Sequence, residues 1–253
     1  MTVEIRQFPC LSDNYGFLVR DVATGQVACI DTPDADSVLA ALDEAGWSLD
    51  LILNTHWHPD HAGGNAKLKE RTGAVSIGPA EVERLTPLDR KVAGGDRIEL
   101  GATVFQVIDT GGHTLGHVSY YSAKDAVAFV GDTLFALGCG RLFEGTPAQM
   151  WDSLSRLANL PCETRVYCAH EYTASNARFA VIVDQDPAVI ARAAAVFAAR
   201  ERGEATVPTT IALERATNPF LRAPVLAASL GKSGLTDSEA FGAVRAAKDE
   251  FKG

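Results

Sequence analysis

Asn54-Thr55-His56-Trp57-His58-Pro59-Asp60-His61-Ala62-Gly63-Gly64 follows directly on the apolar run Leu51-Ile52-Leu53 and sets three histidines and one aspartate within six positions. In an extended or turn backbone, positions 56, 58 and 60 project to one side and His61 to another, which suits two neighbouring metal ions. The pattern differs from His-Glu-x-x-His, where a helix aligns ligands four apart. Pro59 and the Gly63-Gly64 pair argue against a helix here.

Three further ligand-type residues follow strand-like runs elsewhere. His113 comes after Val107-Ile108-Asp109-Thr110-Gly111-Gly112, Asp132 after Phe129-Val130-Gly131, and His170 after Val166-Tyr167-Cys168-Ala169. Strand ends in layered α/β proteins converge on one edge, where loops carry sites. Five of the six histidines fall in this set. Five imidazoles and two carboxylates are too many for one tetrahedral ion and suit two ions that share a carboxylate and keep positions open for water. Zinc is the first expectation for such nitrogen and oxygen donors, and iron and manganese also fit. The sixth histidine, His117, reads as a buried supporting residue rather than a ligand.

The rest of the chain frames this set as an α/β (α+β) layered protein. Strands are expected at Phe17–Arg20, Val27–Ile30, Leu51–Asn54, Val104–Ile108, Val118–Tyr121, Val127–Val130 and Arg165–Cys168, where short β-branched runs alternate with Gly, Pro and Asp. Ser37–Ala45, closed by Gly46, and Pro147–Ala158, opened by Thr146, read as helices. Past residue 171 Ala-rich helical stretches take over: Ser175–Val183, Ala188–Arg202 and finally Thr236–Phe251, whose Thr236 and Glu239 form a capping box.

The 253 residues are 47% hydrophobic and 22% charged, enough for a sizeable core. Charges sum to 23 − 32 = −9, which argues against nucleic acid or an anionic membrane as partner and obliges any anionic substrate to find a local basic patch. No run reaches the roughly 18 apolar residues of a membrane helix and no secretory leader is evident, so the cytoplasm is the expected location. The five cysteines contain no C-x-x-C pair and read as reduced thiols, mostly in the core. No G-x-S-x-G elbow is present, and Gly231-Lys232-Ser233 lacks the glycine that a phosphate-binding loop needs five positions earlier, where Leu226 stands.

Thr55-His56-x-His58-x-Asp60-His61-x-Gly63-Gly64 with His113, Asp132 and His170 resembles the signature of the metallo-β-lactamase superfamily. Within it the chain is similar to the glyoxalase II (hydroxyacylglutathione hydrolase) family from end to end. The similarity takes in Asp13-Asn14-Tyr15, Gly131–Phe135, Gly138–Gly145, His170-Glu171-Tyr172-Thr173, Asn218–Arg222 and the terminal Arg245-Ala-Ala-Lys248-Asp-Glu-Phe251-Lys252. The resemblance implies a four-layer αββα sandwich over residues 1–170 and a helical substrate-binding domain over 171–253. It implies one metal on His56, His58 and His113, the other on Asp60, His61 and His170, and Asp132 bridging them, with Asp60 and Asp132 as the catalytic carboxylates.

It further implies recognition of a glutathione thioester by Arg141, Phe143, Tyr172, Arg245 and Lys248, although family members carry a tyrosine where this chain has Phe143. The implied reaction is hydrolysis of S-(R)-lactoylglutathione to D-lactate and glutathione, the second step of methylglyoxal detoxification, by a monomer. Two alternatives stay open: another hydrolase of the superfamily, such as a lactonase or β-lactamase, or a persulfide dioxygenase with one iron. The long helical tail with Arg245 and Lys248 speaks against the first, and retention of all seven ligands against the second. A non-catalytic zinc module would need a closed four-ligand site.

Overall fold

The computed structural model describes residues 2–229, 231 and 234–252. Lys232 and Ser233 of the Gly231-Lys232-Ser233 triplet therefore lie outside the described residues. The chain forms two compact units, Met1–Asp109 with Gly116–Gly131 and Thr110–Leu115 with Asp132–Gly253.

The first unit is built on two sheets. β1 (Val3–Cys10), β2 (Asn14–Asp21) and β3 (Val27–Ile30) are antiparallel neighbours. Helix α1 (Ala35–Ala45) then returns the chain to β4 (Leu51–Leu53), which lies parallel to β3. After a single turn α2 (Pro59–Ala62) and α3 (Asn65–Thr72), β5 (Val75–Gly78) and β6 (Arg90–Lys91) extend the sheet in parallel. The second sheet is an antiparallel meander of β7 (Arg97–Leu100), β8 (Thr103–Asp109), β9 (Val118–Ser122) and β10 (Val127–Gly131).

Residue choice explains these elements. β8 alternates inward Thr103, Phe105 and Val107 with outward Val104 and Gln106, the period-two signature of a half-buried strand. Between the sheets, the ring of Phe17 on β2 lies 5.5 Å from Phe129 on β10, and Phe105 on β8 lies 6.2 Å from Phe129. Helix α1 starts at Ala35, two residues before the expected Ser37, because the Asp34 carboxylate accepts the Ser37 N–H and so places the cap at Asp34. It ends at Gly46, whose φ of 66° few other residues adopt cheaply. Ala35, Val38 and Leu42 pack on Leu18, Ile52 and Leu68, where full burial is worth roughly 1.5–3 kcal/mol per large side chain.

The second unit opens with the hairpin β11 (Leu134–Phe135) and β12 (Gly138–Cys139), then α4 (Pro147–Ala158) and β13 (Arg165–Cys168). Helix α4 carries a full capping box between Thr146 and Gln149, with Pro147 in the first turn. At the change of composition near residue 171, β13 gives way to α5 (Thr173–Val183) and α6 (Pro187–Glu201). β14 (Thr209–Thr210) pairs with β13 and leads into α7 (Ile211–Thr217), α8 (Ala223–Ser229) and α9 (Asp237–Glu250). Leu137, Ala177, Ala180, Val189 and Ala193 join α5 and α6, while Phe220 and Phe241 meet at 6.2 Å under α9. The buried Glu214 carboxylate is paired with Arg192 and accepts from Leu137 N and Asn218 Nδ2, so its charge is compensated. Among the described residues no helix is long and apolar enough to cross a membrane.

Candidate metal centre

In the first unit β4 ends at Leu53 and delivers Asn54, Thr55 and His56 into the interior. Tyr120 Oη donates to the Asn54 carbonyl at 2.5 Å. Asp31, at the end of β3, is the hub of this half. Its carboxylate accepts from Thr55 N at 2.7 Å and Thr55 Oγ1 at 2.8 Å, and its Oδ2 lies 2.8 Å from His61 Nδ1. A carboxylate only accepts, so Nδ1 carries the proton and Nε2 is the ring's lone-pair nitrogen.

The structure corrects the backbone expected for this stretch. Residues 59–62 form a helical turn, with Pro59 in its first position, where the missing N–H is not needed. That turn folds His61 back beside His56, ring centroids 4.0 Å apart, and puts its Nε2 3.6 Å from Asp60 Oδ2. His61 therefore does not point away from its neighbours. His56 Nε2 and His58 Nδ1 approach to 3.0 Å, and Asn14 Nδ2 steadies Asp60 through Oδ2 at 3.2 Å and its carbonyl at 3.3 Å. His117 is buried and stacks on His56 at 4.9 Å, the supporting place expected of it. Gly131, at φ 47°, leaves room for it: a Cβ there would stand 2.6 Å from both His117 Nε2 and Thr55 Oγ1.

The second unit gathers His113, Asp132 and His170 from three separate segments, all buried. His113 Nδ1 lies 2.8 Å from the Arg141 carbonyl, which fixes the proton on Nδ1 and turns Nε2 to within 3.3 Å of Asp132 Oδ2. His170 Nε2 lies 3.3 Å from the other oxygen, Oδ1. Each oxygen of one carboxylate thus faces a different imidazole. Gly140 makes this possible, since a Cβ there would stand 1.9 Å from the Asp132 carbonyl.

His113 and Asp132 open into a cavity of about 470 Å³ within the second unit. Phe135, Phe143 and Tyr172 supply aromatic walls. Tyr172 stacks parallel on His170 at 4.6 Å, and Phe143, 64% exposed, stands edge-on to His113 at 5.2 Å. Arg141, Arg245 and Lys248 supply cations in the same cavity. Arg245 is only 5% exposed, donates to the Cys139 carbonyl at 3.0 Å and Asp249 Oδ1 at 2.9 Å, and its guanidinium lies over the Phe220 ring.

Lys248 donates to the carbonyl and hydroxyl of Ser175 at 3.2 and 3.3 Å, with the rings of Phe179 and Phe251 about it. Burial, reinforced by Arg245, Arg178 and Arg141 and opposed by Asp249, pushes its pKa down to about 8. Sequence reasoning had not singled out Asp31, Ser175 or Asp249. Only Asp31 left a trace, because it too follows a strand-like run, Val27–Ile30.

Residues 21–170 match the metallo-beta-lactamase superfamily, and residues 171–251 match the hydroxyacylglutathione hydrolase C-terminus. A hydroxyacylglutathione hydrolase of Erythrobacter litoralis is 55% identical over 252 residues, covering 98% of this chain and all of that protein. Among solved structures, that of ETHE1 from Myxococcus xanthus superposes with a TM-score of 0.68 at 29% identity, covering 96% of this chain and 97% of that one. The structure of TTHA1623 in a di-iron-bound form gives 0.63 at 27% identity, covering 86% of this chain and all of that one. The chain belongs to the hydroxyacylglutathione hydrolase family and has the metallo-β-lactamase fold with a helical C-terminal region.

Proposed function

We propose that the chain hydrolyses 2-hydroxyacyl thioesters of glutathione, S-(R)-lactoylglutathione first among them, to the hydroxy acid and glutathione. The observation that carries this reading is that His113 and Asp132 share one cavity with Arg141, Arg245 and Lys248. Ligand-type side chains and cations thus line one cavity of about 470 Å³.

In this reading residues 171–253 serve recognition, and the seven ligands hold two ions, zinc, iron or manganese. His56, His58 and His113 take one, Asp60, His61 and His170 the other, and Asp132 is shared. The donors suit such ions: His61 and His113 are locked by Asp31 and the Arg141 carbonyl in the tautomer that presents Nε2. Ions bound there would bring water towards a pKa of about 7 and polarise the thioester carbonyl.

The chain's own groups do the rest. Asp60, steadied by Asn14, accepts a hydrogen bond from the attacking water and orients it. Lys248, Arg245 and Arg141 meet the glutathione carboxylates, and the walls of Phe135, Phe143 and Tyr172 keep bulk water from the acyl group. The departing thiolate, with a thiol pKa of about 8.5, needs no strong general acid. A monomer in the cytoplasm, where glutathione is abundant, suits this chemistry. The test combines metal analysis with turnover of S-lactoylglutathione. Two ions per chain and rapid release of thiol support the reading, and metal-loaded protein without thioester hydrolysis refutes it.

A further inference from the structure

The carboxylate of Asp249 does not itself line the second unit's cavity but pairs with two of the cations that do, Arg245 and Arg141. Its Oδ1 accepts from Arg245 NH2 at 2.9 Å and lies 4.0 Å from Arg141 Nε, and its charge acts on Lys248 one position earlier in the chain. Arg245 and Lys248 both line the cavity and also donate to the Cys139 and Ser175 carbonyls. Asp249 itself is 46% exposed at its side chain and accepts from nothing that holds it as firmly as Arg245 does. A carboxylate at this point has the charge and shape of the end of a glutathione chain.

We propose that Asp249 is an internal occupant of the carboxylate seat, which an incoming glutathione carboxylate must displace or share, and that it thereby sets the affinity for substrate and for released glutathione. The inference rests on the reading of the chain as a glutathione thioesterase. Binding of an external carboxylate replaces an existing ion pair instead of meeting bare cations, so each carboxylate contact returns less than its full strength. The same arrangement keeps three cations from repelling one another in the empty cavity, since like charges a few ångströms apart disfavour the compact state. Asp249 is thus a specificity-determining residue, distinct from the cations that make the contact.

The test is Asp249→Asn, which keeps shape and hydrogen bonding to Arg245 while removing the charge. It is measured at low ionic strength and pH 6.5, where Lys248 is protonated in both proteins. KM for S-lactoylglutathione and the inhibition constant of free glutathione should both fall about three- to tenfold, with kcat moving less than twofold. Asp249→Glu, which restores the charge, should return both to the wild-type values. A thioester of N-acetylcysteamine, lacking glutathione's carboxylates, should show no change in KM. A KM that stays or rises in Asp249→Asn, with the melting temperature unchanged, overturns the proposal and leaves Asp249 as a mere support for Arg245. Wild-type turnover of S-lactoylglutathione is measured first: its absence would refute the thioesterase reading, whereas calorimetry with glutathione would still report on Asp249.

Discussion

The two units present their ligand-type side chains on opposite plans. The first offers His56, His58, Asp60 and His61 from six consecutive positions at the exit of β4, shaped by one helical turn and held by Asp31. The second offers His113, Asp132 and His170 from three segments, and sets two of them in the wall of the cavity that also holds Arg141, Arg245 and Lys248. A local motif needs only local geometry. A distributed one depends on the fold of a whole unit, and two of its residues line one cavity with the cations, so under the proposed function damage in the first unit should fall on chemistry alone and damage in the second on chemistry and affinity together.

The largest effect should come from the one carboxylate flanked by two imidazoles. Asp132→Ala is expected to lower the metal content from two ions per chain and to cut kcat/KM by about 10³-fold or more, read by metal analysis and thiol release. Next, Asp60→Ala and His170→Ala should each lower turnover by at least about 10²-fold with circular dichroism unchanged. If the contrast holds, Asp60→Ala leaves KM in place.

Asp31→Ala tests whether the hub matters although it touches no substrate. Removing the acceptor of Thr55 and His61 should cost roughly 10- to 100-fold in metal affinity, seen by chelator competition. Lys248→Ala should act on the other side of the comparison, raising KM roughly 10- to 150-fold with little change in kcat, since a charge-assisted contact is lost equally in ground and transition states.

The smallest effect is the pH dependence of that contact. The Lys248 pKa is depressed to about 8, so the ammonium proposed to meet a carboxylate is present below pH 8 and lost above it. KM should accordingly be flat below about pH 7 and rise above pH 8, by less than the whole effect of Lys248→Ala, and that rise should vanish in the variant. A pH-independent KM in the wild type would place the carboxylate elsewhere.

How much of this was legible in the sequence follows the same division. Val27–Ile30, Arg165–Cys168 and Pro147–Ala158 stand where their residue patterns put them, because β-branched runs and a Thr-Pro helix start are local signals. β1 was missed: Glu4 and Arg6 point outward from an edge strand, and Pro9 in it reads as a break although an edge tolerates proline. The turn at 59–62 does not stand out as helical in the sequence, because Pro59 is a breaker everywhere except in a helix's first turn, where it sits. All seven ligand-type side chains could be picked out by type and by their place after strand-like runs. Which imidazoles meet across Asp132 depends on how three separate segments come together, and that Ser175 anchors Lys248 on how α5 and α9 pack, which no spacing reveals.

Helix α9 carries Lys248 and Asp249 in its last turn, buries Ala240 and Phe241 in its first half, and has Val244 and Arg245 buried at the join. Address and anchorage therefore occupy successive stretches of one 14-residue helix. For an evolving lineage or a designer, the shortest road to a new thioester is to rewrite the final two turns while the first two keep the helix docked and every hydrolytic ligand stays untouched upstream.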